Sequence, residues 1–283
     1  MPAQKILDQV RRTVYNSPIY TILGIIGLRS PVTNLYWRLQ FALSDDTITR
    51  TVGPSTAKFH ILTRHEFSRF NDPTLHGEIE VLSEIIESLE SDNVFYDVGA
   101  NVGLHACFAG QITTSGSIVA IEPHPKSAKR LKENLELNNI TGEVCEYALA
   151  SEYDTAVLEL SEDRAGAVGS VEMDERENGT NVEIDLVPGD NVIRSDEIPA
   201  PDVMKIDVDG GEMEVLRGLE DTLRNQSCRL IFCEIHPDAL LNYGATEEDV
   251  RDLLIDLGYE ISERDVSHDS REGAYFVRAE KDI

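Results

Sequence analysis

Positive charge is what this sequence has least of. Its 25 Lys and Arg stand against 52 Asp and Glu, a formal net charge of -27 over 283 residues. No basic stripe is present to release the counterions of a polyanion, which excludes DNA and RNA as expected partners. The acids are spread along the chain rather than gathered into a tail. Such a surface repels itself in dilute buffer, whereas in about 1 M salt the Debye length falls to roughly 3 Å and the repulsion largely vanishes. The composition is that of a cytosolic protein from a salt-loving microbe, so a cytoplasmic location is expected. Cysteine is also scarce: Cys107, Cys145, Cys228 and Cys233 form no C-x-x-C pair and no Cys/His spacing suited to zinc. They read as reduced core residues. No secretory leader is expected, because MPAQKILDQVRR runs into polar NSP before any apolar core. Long apolar runs are missing too. IYTILGIIGL (19–28) has ten residues, about half of a membrane span; it reads as a buried helix, with a peripheral membrane contact as the lesser alternative.

What is present is a mixed α/β pattern. Residues 1–75 read as an N-terminal extension, holding that apolar segment, the amphipathic patch NLYWRLQFAL and a strand AKFHILTR. A helix is predicted over 76–90, since Ile79, Leu82, Ile85, Ile86 and Leu89 recur at three-and-four spacing. From there to 283 short apolar runs alternate with helical patterns. NVFYDV, SIVAIE, EVCEYAL, DVMKIDV and RLIFCEI read as buried strands. NVGLHACFAGQ, PKSAKRLKENLELNN, GEMEVLRGLEDTL and TEEDVRDLLIDLG read as helices, the last capped by Thr246 with Asp249 and by Gly258. That rhythm predicts a doubly wound, mostly parallel sheet. YEISER and GAYFVRAE predict an antiparallel hairpin at its C-terminal edge, and residues 151–200 a β-rich insertion.

The strand-to-helix turn DVGANVG lies where open α/β sheets bind ligands. Gly99 permits the tight turn, and Gly103 is expected to let a ligand approach without a Cβ in the way. A dinucleotide fold requires G-x-G-x-x-G; here the pattern is D-x-G-x-x-x-G, with Asp97 directly before the turn. An acid there disfavours a phosphate and suits a ligand carrying an ammonium or sulfonium. Glu122 follows at the tip of the next strand, placed to take both hydroxyls of a ribose. The expected ligand is a positively charged nucleoside.

FYDVGANVG, IEPHP with the helix LKENLELNN, MKIDVDGGEMEVLRGL and FCEIHP together resemble the successive motifs of the FkbM family of S-adenosylmethionine-dependent methyltransferases, over roughly residues 76–280. With the charge pattern, the resemblance points to a halophilic archaeon. It implies the Rossmann-like class I methyltransferase sheet, S-adenosyl-L-methionine as cofactor and methylation of a hydroxyl, commonly on a sugar or glycosylated product. Asp97, Gly99, Asn101, Gly103 and Glu122 carry over as cofactor-binding positions. Where the family often has DVEGHE or DVEGAE, this chain has DVDGGE, so Asp209 stands for a Glu and Gly211 for a His or Ala.

Strand alternation puts Lys205, Asp207 and Asp209 on one side. Asp207 is the first choice for contacting or deprotonating the acceptor, Asp209 the second, and His236 the third because its pKa lies near neutrality. A salt bridge of Lys205 with a nearby acid is the competing structural role, and Glu212 reads as an ordinary acid at a helix start. Asp207, Asp209, Glu234 and His236 are also hard ligands for a divalent ion, but acids are expected at these strand ends in any case, and no metal is assigned. The acceptor is expected to be a small molecule or glycan, with lipid linkage one option. A methyl ester on a uronic-acid carboxylate is the main alternative. A nicotinamide dehydrogenase is disfavoured by the missing glycine pattern, and a non-catalytic binding protein by the intact cofactor motifs.

Overall fold

Apolar runs with no alternation make strands that are covered on both faces, and in the computed structural model of the protein five such runs lie side by side in one sheet. The structure describes residues 45–160, 169–172, 180–225, 228–264 and 273–281, with single positions between 22 and 39. Of the 19–28 segment only Ile22 and Ile25 are described; both are helical and exposed, 53% and 80%. The burial expected there is not seen at these two positions. The rest of that segment and the patch NLYWRLQFAL lie largely outside the described residues.

The chain divides into two units, residues 1–48 with 59–71 and residues 49–58 with 72–283. Strands β1 (Thr47–Val52) and β2 (Ser55–His60) pair as a two-stranded sheet. In the smaller unit helix α1 (Arg64–Asn71) begins with a capping box: the Glu66 N–H donates to Thr63 Oγ1 at 3.1 Å, and the Thr63 N–H donates to Glu66 Oε2 at 2.8 Å. Its buried Phe70 stacks on Phe59, ring centroids 4.3 Å apart.

In the larger unit α2 (Ile79–Ser88) buries Leu82, Ile85 and Ile86 of the predicted face together with Val81, while Ile79 stays partly exposed. Then come β3 (Val94–Val98), α3 (Leu104–Ala109), β4 (Ser117–Ile121), α4 (Pro125–Leu137) and β5 (Gly142–Cys145). A second set follows: β6 (Ala148–Leu149), β7 (Asp154–Leu160), β8 (Gly169–Glu172), β9 (Thr180–Val187) and α5 (Gly189–Arg194). The chain returns through β10 (Val203–Ile206), α6 (Glu212–Gly218), α7 (Glu220–Asn225) and β11 (Leu230–Ile235). It closes with α8 (Pro237–Asn242), α9 (Glu247–Asp256), β12 (Glu260–Arg264) and β13 (Tyr275–Glu280).

Seven strands form the main sheet in the order β12-β13-β11-β10-β3-β4-β5. The pairs from β11 to β5 are parallel, and β13 runs antiparallel between β11 and β12. This is the mostly parallel sheet with a C-terminal antiparallel hairpin that the sequence predicts. Strand order reverses between β3 and β10, so the carboxyl ends of these two strands open the crevice where such sheets bind ligands.

Two readings of the sequence change. EVCEYAL is not one strand: Gly142–Cys145 pair with β4, while Ala148 and Leu149 pair with Leu186 and Val187 of β9, in a separate four-stranded sheet ordered β6-β9-β7-β8. An apolar run carries no mark of which neighbour it will find. GEMEVLRGLEDTL is likewise two helices. A Cβ on Gly218 would fall 2.0 Å from the Ala150 carbonyl oxygen, so another stretch of backbone presses on the break. Beyond it Asp190 caps α7, accepting from the Asp221 and Thr222 N–H groups at 2.8 Å each.

Candidate active site

At the end of β3 the chain enters the turn in three left-handed steps, with φ of +76° at Gly99, +51° at Asn101 and +85° at Gly103. The Gly99 and Ala100 N–H groups both donate to the Ile121 carbonyl at 3.0 Å, tying the turn to β4. Both glycines answer to protein neighbours. A Cβ on Gly99 would lie 1.8 Å from the Asp207 carbonyl oxygen, and one on Gly103 would lie 2.5 Å from Leu131 Cδ1 on α4. The bare backbone at Gly103, expected to admit a ligand, is thus filled by a leucine.

Asp97 is wholly buried. Its Oδ2 accepts from the Ala106 N–H in the first turn of α3 at 2.9 Å, while Oδ1 lies 3.7 Å from Lys205 Nζ and accepts no hydrogen bond. Burial pushes its pKa up, and Lys205 and the Ala106 N–H pull only part of the way back. Lys205 stands opposite it, because β10 pairs with β3 in the register Lys205 to Asp97. Lys205 Nζ also lies 3.1 Å from Asp207 Oδ2. Burial lowers the pKa of this ammonium, but the nearby acids, Asp207 and Asp97 foremost with Glu78 and Glu234, outweigh it and raise the value. The salt bridge weighed from sequence is therefore present, and it joins the glycine turn to the acids at the end of β10.

Glu122, at the tip of β4, is buried and braces the same turn. Its Oε2 accepts from the Asn101 N–H and its Oε1 from the His124 N–H, each at 2.8 Å. Burial raises its pKa to about 7, against the pull of these two hydrogen bonds. Each oxygen retains a second lone pair for a hydroxyl donor. Asn101 Oδ1, like Asp97 Oδ1, is buried without a hydrogen bond. Oxygens that can only accept, gathered at one turn, suit a cationic ligand rich in N–H and O–H donors.

On the other side of Lys205 lies a second cluster. His236 Nδ1 is 2.7 Å from Glu212 Oε1, which fixes the ring, and its Nε2 lies 3.5 Å from Asp209 Oδ1, 3.7 Å from Glu234 Oε1 and 3.9 Å from Asp207 Oδ1. The last two exceed a hydrogen-bond distance and the first is at its limit. Burial lowers the His236 pKa, but the Glu212 bond, Asp207 and Glu234 outweigh it and raise the value to about 9. At neutral pH the ring is an imidazolium, which differs from the proton acceptor expected at this position. Glu212, read from sequence as an ordinary helix-start acid, is fully buried and holds that ring. Only its partner's placement could have shown this. Asp207 and Asp209 keep side-chain exposures of 19% and 24%, enough to meet an acceptor. Strand alternation ends at Ile206; Asp209 sits in a turn with φ +47°, and the loop rather than the strand brings it beside His236. Asp207, Asp209 and His236 each present one ligand atom within 4.8 Å of the others, close enough to share a hard cation; acids so disposed are common without one.

Two groups of residues thus flank the switch point, one suited to a cationic nucleoside and one to an acceptor. The Methyltransferase FkbM domain model matches residues 97–261, which span both groups. The chain belongs to the FkbM methyltransferase family. Its methyl donor is S-adenosylmethionine, and the acceptor-only oxygens at the turn fit that molecule. Among curated relatives, this FkbM methyltransferase is 33% identical to the hexuronic acid methyltransferase AglP of Haloferax volcanii over 198 residues, 70% of this chain and 75% of that protein. It is 26% identical over 182 residues to Methyltransferase 1 of Beauveria bassiana, covering 55% of this chain and 73% of that one. A solved FkbM methyltransferase from Methylobacillus flagellatus superposes with a TM-score of 0.46 at 15% identity, over 76% of this chain and 52% of that one. No helix among the described residues is long and apolar enough to cross a membrane.

Proposed function

We propose that this FkbM methyltransferase transfers the methyl group to a hydroxyl oxygen of a sugar within a glycan, a uronic-acid unit in the first instance. The observation that carries the reading is the partly exposed pair Asp207 and Asp209 beside the His236 imidazolium. Carboxylates at that opening accept a hydrogen bond from a hydroxyl. The name of the Haloferax volcanii relative supplies the sugar class. It also supports a second reading, methyl esterification of the uronic-acid carboxylate, an acceptor that needs no base.

In this reading residues 76–283 form the catalytic domain and the protein works in the cytoplasm. The bound cofactor supplies a methyl group made electrophilic by a sulfonium. Glu122 accepts the ribose hydroxyls beside Asn101, across a turn shaped by Gly99 and Gly103, and Asp97 holds that turn from within by its bond to the Ala106 N–H. Asp207 orients the acceptor hydroxyl and takes its proton, with Asp209 beside it. Lys205 lies beside Asp207 and His236 beside Asp209. Alignment of acceptor, methyl and leaving sulfur supplies most of the rate, with effective molarities on the order of 10⁵ M or more, and a base adds a factor of about 10² to 10⁴.

The test is incubation with S-adenosylmethionine and uronic-acid oligosaccharides, followed by mass spectrometry and mild alkali. A gain of one methyl that survives alkali is expected. Loss of the methyl in alkali would establish the ester instead, and transfer to nitrogen or carbon would sink both.

A further inference from the structure

A groove of about 620 Å³ lies between the inserted sheet and the start of α6. None of Asp97, Gly99, Asn101, Gly103 and Glu122 lines it, so it is separate from the residues assigned to the cofactor. It does adjoin the acceptor residues, because Val208 and Gly211 of the loop that carries Asp207 and Asp209 form part of its wall. The opposite wall comes from β6, β7 and β9, the segment that interrupts the strand-helix rhythm.

The lining combines an apolar floor, acids at the edge and uncharged polar groups, among them Ser151, Thr155, Asn242 and Tyr243. Leu149, Ala156, Leu186 and Val215 make an apolar floor, and Glu152, Asp154 and Glu183 stand exposed at the edge. Glu214 also lines the groove, where it accepts from Ser151 Oγ and from Arg217 Nη1, the latter at 3.1 Å. No lysine, arginine or histidine is among the lining residues. An apolar floor fits the C–H faces of a pyranose ring, carboxylates accept its hydroxyls, and a surface with acids and no bases repels a second anion. The volume falls in the range of clefts that bury small ligands.

We propose that this groove is the acceptor-chain subsite, and that it takes an uncharged, polyhydroxylated sugar unit next to the one that is methylated. The proposal rests on the glycan reading above and deepens it: the inserted sheet, absent from the sheet that holds the cofactor, selects the neighbouring sugar by excluding charge.

The test uses the full chain loaded with S-adenosylhomocysteine, titrated calorimetrically at fixed salt with two probes. One is a trisaccharide with a central glucuronic acid between two glucoses, the other a trisaccharide of three glucuronic acids. The first is expected to bind at least about tenfold more tightly. Thr155→Trp, at an exposed groove position, should weaken the first probe about tenfold while S-adenosylhomocysteine affinity, the control for folding, stays unchanged. The triple variant Glu152→Gln, Asp154→Asn, Glu183→Gln should erase the discrimination. Equal or tighter binding of the all-acid probe, or wild-type affinity in Thr155→Trp, overturns the subsite and leaves the glycan reading standing. If the wild type binds S-adenosylhomocysteine and neither trisaccharide, the glycan reading itself fails and the subsite with it.

Discussion

Replacing Lys205 by Met removes the cation that separates two acids while keeping most of the volume. In the native protein Nζ sits 3.1 Å from Asp207 Oδ2 and 3.7 Å from Asp97 Oδ1, and the side chain is 2% exposed. At an effective dielectric of about 20, Coulomb attraction at these distances amounts to roughly 5 kcal/mol for each pair, much of it offset by the desolvation of three charges. Breaking such a pair from one side costs about 3 to 5 kcal/mol, because the partner is left buried and charged. Asp207 is 19% exposed and recovers some hydration, which places the expectation near the lower end, about 3 kcal/mol. The pH dependence has a definite sign. Asp97 already has a raised pKa, and without Lys205 it rises further, so the variant binds a proton more readily when folded than when unfolded. Its deficit should therefore be largest at neutral pH and shrink as pH falls toward the ordinary carboxylate range. Urea titrations of both proteins from pH 8 to pH 5 check this. Repeating them at low and at molar salt should leave the difference nearly unchanged, since buried pairs are little screened. A loss below about 1 kcal/mol, or a deficit that grows as pH falls, would refute the assignment of Lys205 as the buried link.

Glu122→Ala should weaken S-adenosylmethionine binding at least about tenfold by calorimetry, the loss of a charge-assisted hydrogen bond or more. In the wild type a ribose hydroxyl favours the ionised carboxylate, so affinity should improve as pH rises through about 7, with proton release on binding; a flat profile would remove Glu122 from the cofactor site. His236, with a pKa of about 9, supports Asp207 and Asp209 only while protonated, so kcat should fall as pH rises through about 9. His236→Gln should lack that limb, and a rate that climbs through pH 9 would instead make His236 the base.

Much of this was legible in one dimension. Parallel strands are continuous apolar runs because helices cover both faces, and NVFYDV, SIVAIE and RLIFCEI announced themselves for that reason. Thr246 and Asp249 form the capping box their spacing predicts, since that motif closes within four residues. Glycine turns and a strand-end acid pointed to a cationic nucleoside on local chemistry alone. Two of the readings that changed depend on a partner distant in sequence. EVCEYAL divides between two sheets, and GEMEVLRGLEDTL breaks where Ala150 presses on Gly218.

The sequence by itself marked the strands, the glycine turn and the family motifs, because each is legible in a short local stretch of residues. Only the tertiary structure decided what the acids do. The sequence marks Asp97, Lys205, Asp207, Glu212 and His236 as charged; it does not say which of them are buried against one another. Folding brings Lys205 opposite Asp97 across two strands and sets Glu212 against His236 across a helix and a loop. Burial then makes each charge depend on its partner, which is why roles that are ambiguous in the sequence become distinct in the folded chain.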